Sequence, residues 1–143
     1  MAEPRTAPKL NVVLRPGVTK KVDTSATLTV AYFTTKPNNT YVIRACCLAQ
    51  KGELTPTAAG YFEISAVVRT NAAGTAVLVE QTPIVAAQDS DHAAWTFVAA
   101  LDDPRIDFNF ANDDTDATWV RTWGEIVVLG EGGIHEYGDA ANA

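Results

Sequence analysis

The sequence has 143 residues, of which 47% are hydrophobic and 20% charged, so length and composition predict one globular domain and exclude a disordered chain. Its formal net charge of −6 disfavours a nucleic-acid or anionic-membrane surface, because both need a concentrated cationic face. No apolar run approaches the roughly 18 residues of a membrane span, and the N-terminus lacks an apolar signal core, so we expect a soluble chain without an export signal.

The N-terminal residues 1–26 carry three prolines and one short strand pattern, Leu10 to Leu14, which is typical of an extended arm. The first 21 residues hold five basic side chains against one carboxylate. Such an arm is expected to dock on an acidic neighbour, and a solvated terminus is the alternative. The basic candidate contact residues are Arg5, Lys9, Arg15, Lys20 and Lys21.

Two strand patterns follow, Thr27 to Phe33 and Asn39 to Gln50, with turn-forming residues between them. This arrangement predicts either a hairpin or a corner between two sheets. In the second strand Cys46 and Cys47 are adjacent, so their side chains point to opposite faces and cannot form a relaxed disulfide with each other. We expect one core thiol and one partly covered thiol, as in a reducing cytoplasm.

The middle of the chain predicts a β-hairpin and two further strands. A period-two alternation over Gly60 to Thr70, turn residues at Asn71 to Gly74 and a β-branched run ending at Gln81 form the hairpin pattern. The segments Ala93 to Leu101 and Ile106 to Phe110 alternate in the same way, and acidic turns bound them.

The last long strand pattern runs from Thr118 to Leu129. Trp119, Arg121 and Trp123 share one face of it, which is therefore either a buried aromatic face or a displayed contact surface. These three residues are the second group of candidate interface residues.

About eight strands with turn signals between them, and no convincing helix, predict an all-β fold. We expect an antiparallel β-sandwich or jelly roll with an extended N-terminal arm. The predicted organisation is an arm over residues 1–26, the sandwich over 27–130 and a flexible tail over 131–143.

Residues that could carry chemistry are few. His92 lies in a polar turn and His135 in a glycine-rich tail, whereas a catalytic triad needs side chains converging from separate elements. Acidic residues cluster in turns at 89–91, 102–103 and 112–116, where calcium binding or an acid–base pair is one hypothesis and turn capping the other. We expect no enzyme, no catalytic residue, no metal and no cofactor.

From Tyr41 onward the order of segments resembles a β-domain that recurs in bacteriophage virion proteins, in tail fibres and in capsid-decoration proteins. The resemblance covers more than half of the chain, but an acidic turn at Asn112 replaces the glycine-rich turn usual before the closing strand. The segments that carry it are Tyr41 to Ala45, Gly60 to Ile64, Asn71 to Gly74, Asp91 to Trp95, Thr118 to Trp123 and Ile126 to Val128.

The resemblance implies a non-enzymatic virion protein, assembled in the host cytoplasm. Its first implication is a capsid decoration or cement protein that binds the major capsid protein through the basic arm and self-associates as a homotrimer. The alternative is a tail or fibre component, or a carbohydrate-binding module, whose Trp-rich face contacts host-surface glycans. Neither a nucleic acid nor a membrane is an expected partner.

Overall fold

The computed structural model of the protein describes residues 11–14, 19–88, 95–130 and 136–139. These residues form strands, turns and short irregular segments, and none of them lies in a helix that could cross a membrane. The strands are β1 (Asn11–Leu14), β2 (Lys20–Val22), β3 (Ala26–Thr34), β4 (Asn39–Lys51), β5 (Ala58–Thr70), β6 (Ala76–Gln88), β7 (Thr96–Asp102), β8 (Arg105–Asn112), β9 (Thr118–Gly130) and β10 (Glu136–Asp139).

The strands form two antiparallel sheets that pack face to face. Sheet A has the order β1–β9–β4–β5–β6, and β2 also pairs with β9; sheet B has the order β10–β3–β8–β7. Buried apolar side chains from both sheets form one core between them. This architecture confirms the predicted all-β antiparallel sandwich.

The segment between β3 and β4 is a corner between the sheets, since β3 lies in sheet B and β4 in sheet A. The hairpin alternative is therefore wrong. The buried Tyr41 hydroxyl accepts a 2.8 Å hydrogen bond from the Lys36 amide, and the Thr35 hydroxyl donates to the Pro104 carbonyl at 2.7 Å. These bonds give partners to the Lys36 amide and the Pro104 carbonyl, two backbone groups that lie outside the strands.

The predicted hairpin is confirmed as β5 and β6, and β6 extends beyond Gln81 to Gln88. In its turn the Asn71 side-chain oxygen accepts hydrogen bonds from the Ala73 and Thr75 amides, both at 2.9 Å. Gly74 has a φ of 89°, a left-handed conformation that glycine adopts without steric cost. The turn chemistry read from the sequence thus produces the turn.

Part of the predicted arm and part of the predicted tail belong to the sheets. β1 and β2 pair with successive segments of β9, and Val22 of β2 lies in the core. β10 pairs with β3 at the edge of sheet B. Long strands such as β9 leave unpaired backbone groups along an open edge, and these short strands satisfy them. Residues 11–14, 20–22 and 136–139 are thus strands of the two sheets, whereas the sequence predicts an arm over residues 1–26 and a flexible tail over 131–143.

At the other edge of sheet A, β6 pairs with no strand besides β5 among the described strands. The register between β5 and β6 shifts twice, so that Val79 and Ala86 are extra residues in β6. Between the two bulges lies Pro83, which has no amide hydrogen to donate. All three features disfavour the addition of another strand at this edge.

A buried polar link joins β8, β2 and the segment before β7. The Asn112 side chain is fully buried; its oxygen accepts from Trp95 Nε1 at 3.2 Å, and its nitrogen donates to the Val22 carbonyl at 3.1 Å. Trp95 in turn packs against Phe62 and Phe110, with ring centroids 6.5 and 6.1 Å away. Asn112 therefore anchors β2 to the aromatic part of the core.

Candidate functional site

The two faces of β9 divide as the alternation predicts. Val120, Ile126 and Val128 are buried against sheet B, whereas Trp119 and Trp123 are half-buried on the opposite side. We call this side, which faces away from sheet B, the outer face of sheet A. The aromatic residues of the closing strand are therefore displayed and do not form the core.

One end of the outer face carries what we call the aromatic patch, formed by Tyr61, Trp119, Arg121 and Trp123. The Tyr61 and Trp123 rings stack with centroids 5.9 Å apart and planes 13° from parallel. They stand on the small side chain of Cys46, which lies opposite Trp123 in β4 and is almost fully covered. A small residue at this position lets two large rings from β5 and β9 meet across β4.

The polar groups of the aromatic patch are held by defined partners. Tyr61 donates a 2.8 Å hydrogen bond to Glu63 Oε2. Hydrogen bonding to Cys46, partial burial and the Glu63 carboxylate raise the pKa of Tyr61 above its ordinary value. The phenol therefore stays protonated, and a donor, at physiological pH. The Arg121 guanidinium donates to the Thr19 hydroxyl at 2.5 Å.

The structure brings one of the predicted basic residues to this patch. Lys21 Nζ lies 5.9 Å from the centroid of the Trp119 ring and 3.7 Å from Asp23 Oδ1. Its neighbour Lys20 is half-buried and pairs with Val120, on the other side of the sheet. The remaining basic candidates, Arg5, Lys9 and Arg15, lie outside the residues whose side chains are described.

The opposite end of the outer face is apolar, a feature that the sequence analysis missed. Val127, Val42 and Val67 are cross-strand neighbours on β9, β4 and β5, and all three are exposed. An ion pair between Arg44 and Glu125, 3.8 Å apart, lies between this end and the aromatic patch. Each valine alone is an ordinary strand residue, and only the register shows that they adjoin.

The acidic turns serve the fold in the described part of the chain. Lys51 Nζ lies 3.4 Å from Asp114 Oδ2 and 3.1 Å from Asp116 Oδ2, so an ammonium already sits between these carboxylates. Asp103 Oδ1 accepts a 2.9 Å hydrogen bond from the Ala76 amide. These contacts favour the turn-capping interpretation over a calcium or acid–base site.

Among the residues whose placement the structure describes, no group of three or more His, Cys, Asp or Glu side chains is arranged to hold a metal ion. His92 and His135 lie outside this part of the chain, as do the acidic residues at 89–91. The two cysteines are free and buried on opposite faces, which agrees with the exclusion of a disulfide between them.

No protein-family model matches the sequence, and no curated protein matches it significantly. The fold is similar to that of the tailspike protein of Acinetobacter baumannii phage AM24, with a TM-score of 0.50 and 13% identity; the match covers 87% of this chain and 28% of that protein. For the tailspike protein of Acinetobacter phage vB_ApiP_P1, the TM-score is 0.32, the identity 13% and the coverage 91% of this chain and 22% of that protein. The chain spans less than a third of either protein, and the first match shows a shared fold.

Proposed function

We propose that the chain is a non-enzymatic structural module of a phage tail or fibre, and that its aromatic patch binds a carbohydrate of the host surface. The observation that carries the proposal is the aromatic patch itself: three large aromatic rings and an arginine held on the solvent-facing side of a rigid sheet.

The chemistry of the aromatic patch is complementary to sugars. A pyranose presents C–H groups on its ring faces and hydroxyls around its rim, so it packs on aromatic surface and exchanges hydrogen bonds with charged groups beside it. Arg121 can donate to such hydroxyls, and Glu63 can accept from them. The contacts of Tyr61 with Trp123 and of Arg121 with Thr19 hold the side chains in place before binding, which lowers the ordering cost.

The similarity in fold to a phage tailspike supports a tail or fibre location. The capsid-decoration hypothesis rests on the basic arm, of which Lys21 is placed against Trp119 on the aromatic patch. A role as a cement protein that binds the major capsid protein remains a prediction, and the binding experiment below includes it as a competing outcome.

Binding of the purified chain to an array of bacterial surface polysaccharides, followed by calorimetry with the best ligand, tests the proposal. We expect Trp123→Ala and Arg121→Ala each to weaken binding about tenfold, since loss of one aromatic or charged contact costs about 1–2 kcal/mol. Arg121→Ala is the safer variant for folding because this side chain is exposed.

The matched control is Leu129→Ala, an exposed residue at the apolar end of the same face, which should bind like the unchanged protein. Retention of full affinity by both patch variants would refute the proposed site. Failure to bind any polysaccharide, together with sedimentation on expanded phage capsids, would establish the cement function instead.

A further inference from the structure

The apolar end of the outer face extends over four strands of sheet A. Its members, which we call the apolar patch, are Val42, Val67, Val77, Val127 and Leu129, all exposed; Leu129 is 76% exposed. In the register, Val127, Val42 and Val67 form one row with Glu80, and Leu129, Thr40, Arg69 and Val77 form the next. Contiguous exposed apolar surface of this kind marks an interaction site.

Two opposite charges lie within the apolar patch, at diagonal positions on neighbouring strands. Arg69 on β5 and Glu80 on β6 are both exposed, and neither has an ion-pair or hydrogen-bond partner for its side chain among the described residues. They differ in this respect from Arg44 and Glu125, which pair with each other. The apolar patch thus offers one unpaired cation and one unpaired anion beside an apolar row.

We propose that the apolar patch binds the same patch of a second copy of this chain. The two copies are related by a two-fold axis that lies in the plane of the contact, perpendicular to the strands and midway between the two rows. This operation lays each strand over its own copy with the rows exchanged, so that Leu129 meets Val127 of the partner subunit. Arg69 then lies on the partner's Val67, beside the partner's Glu80. Because a two-fold contact is reciprocal, two such ion pairs form at the β5–β6 side of the contact, and the two apolar contacts between Leu129 and Val127 form at its β9 side.

The size of the patch sets the expected strength. Four strands about 4.8 Å apart and a few residues in length cover about 400 Å² per copy, or about 800 Å² in total, which is below the range of stable interfaces and typical of weak, transient ones. A reversible dimer with a dissociation constant in the micromolar to millimolar range follows. The aromatic patch lies at the far end of each subunit, so two copies joined in this way leave both aromatic patches open.

Charge reversal tests the contact directly. Sedimentation velocity over a concentration series, at low ionic strength, measures the dimer dissociation constant of the full chain and of the variants Arg69→Glu, Glu80→Arg and the double exchange. Each single reversal turns two attractive contacts into repulsive ones, so we expect about a tenfold weaker dimer. The double exchange restores opposite charges and should return the constant to within about threefold of the original.

Glu53→Arg, the same change in an exposed loop far from the apolar patch, is the matched control and should dimerise normally. Leu129→Asp, which puts a charge against Val127 of the partner subunit without changing Arg69 or Glu80, should abolish the dimer. A monomer at all concentrations, a trimer, or a dimer indifferent to the single reversals would each overturn the proposal. Glycan binding by Leu129→Asp is measured in parallel, so failure of the aromatic site would be recognised separately.

Discussion

Replacement of Asn112 by alanine should destabilise the protein far more than its place at the end of a strand suggests. The side chain has five hydrogen-bond partners: its oxygen accepts from two of them, and its amide nitrogen donates its two hydrogens to three carbonyls, one hydrogen being shared. Two of these bonds are buried, the one accepted from Trp95 Nε1 and the one donated to the Val22 carbonyl. Alanine removes the hydrogen bonds that Asn112 makes with both buried groups, at about 1–3 kcal/mol each, whereas the three partly exposed groups can bind water. We expect the free energy of unfolding to fall by about 4 kcal/mol, a large share of the 5–15 kcal/mol typical of a domain.

Urea denaturation followed by tryptophan fluorescence measures this change by linear extrapolation. Asn109→Ala is the control: Asn109 lies on the same strand and accepts one partly buried hydrogen bond, from Thr29 at 2.7 Å, so its loss should cost about 1 kcal/mol. Equal losses for the two variants would refute the assignment of Asn112 as a buried link between β8, β2 and Trp95.

Two further predictions concern the thiols and the acidic turn. Cys47 is fully buried, and burial raises the pKa of its thiol. In the folded Cys46→Ser variant, a thiol reagent should therefore modify Cys47 only as fast as the protein unfolds. A faster reaction of Cys47 in this variant than of Cys46 in the Cys47→Ser variant would contradict the prediction. The pKa of Asp114 is lowered although partial burial acts to raise it, because the Thr115 amide and the Lys51 ammonium outweigh burial. The charged Asp114 carboxylate therefore stabilises the fold above pH about 4, and this stabilisation is lost as the pH falls further. Lys51→Met should lower the urea midpoint at pH 7 and have little effect on it near pH 2. Equal effects at both pH values would exclude a contribution of the Lys51–Asp114 pair to the pH dependence of stability.

Local patterns in the sequence predict the strands and their faces because burial of one side imposes a period of two. The division of β9 between Trp123 and Ile126, and the β5–β6 turn at Asn71, follow from neighbours in the chain. Pairing of β4 with both β5 and β9 does not, since the partner of a strand depends on contacts far apart in sequence. The stacked pair of Tyr61 and Trp123 therefore needed the register before it could be recognised.

Residues with two plausible roles are harder to interpret from sequence alone. Asn112 opens a run of polar residues typical of a turn, and its amide does bond to the Asp116 carbonyl in that turn. Its contact with Val22 joins residues 90 positions apart, which no local pattern signals. Lys51 is similar, because a lysine at the end of a strand gives no sign that Asp114 and Asp116 are its partners.

The bulges at Val79 and Ala86 and the proline at position 83 affect how the protein behaves when many copies are crowded together. At high protein concentration, a long apolar strand with free backbone groups would join neighbouring copies into open-ended ribbons. β6 has the apolar composition for such growth but an interrupted hydrogen-bonding edge. In the proposed dimer, contacts between copies are therefore made by side chains, and association ends once each apolar patch is filled.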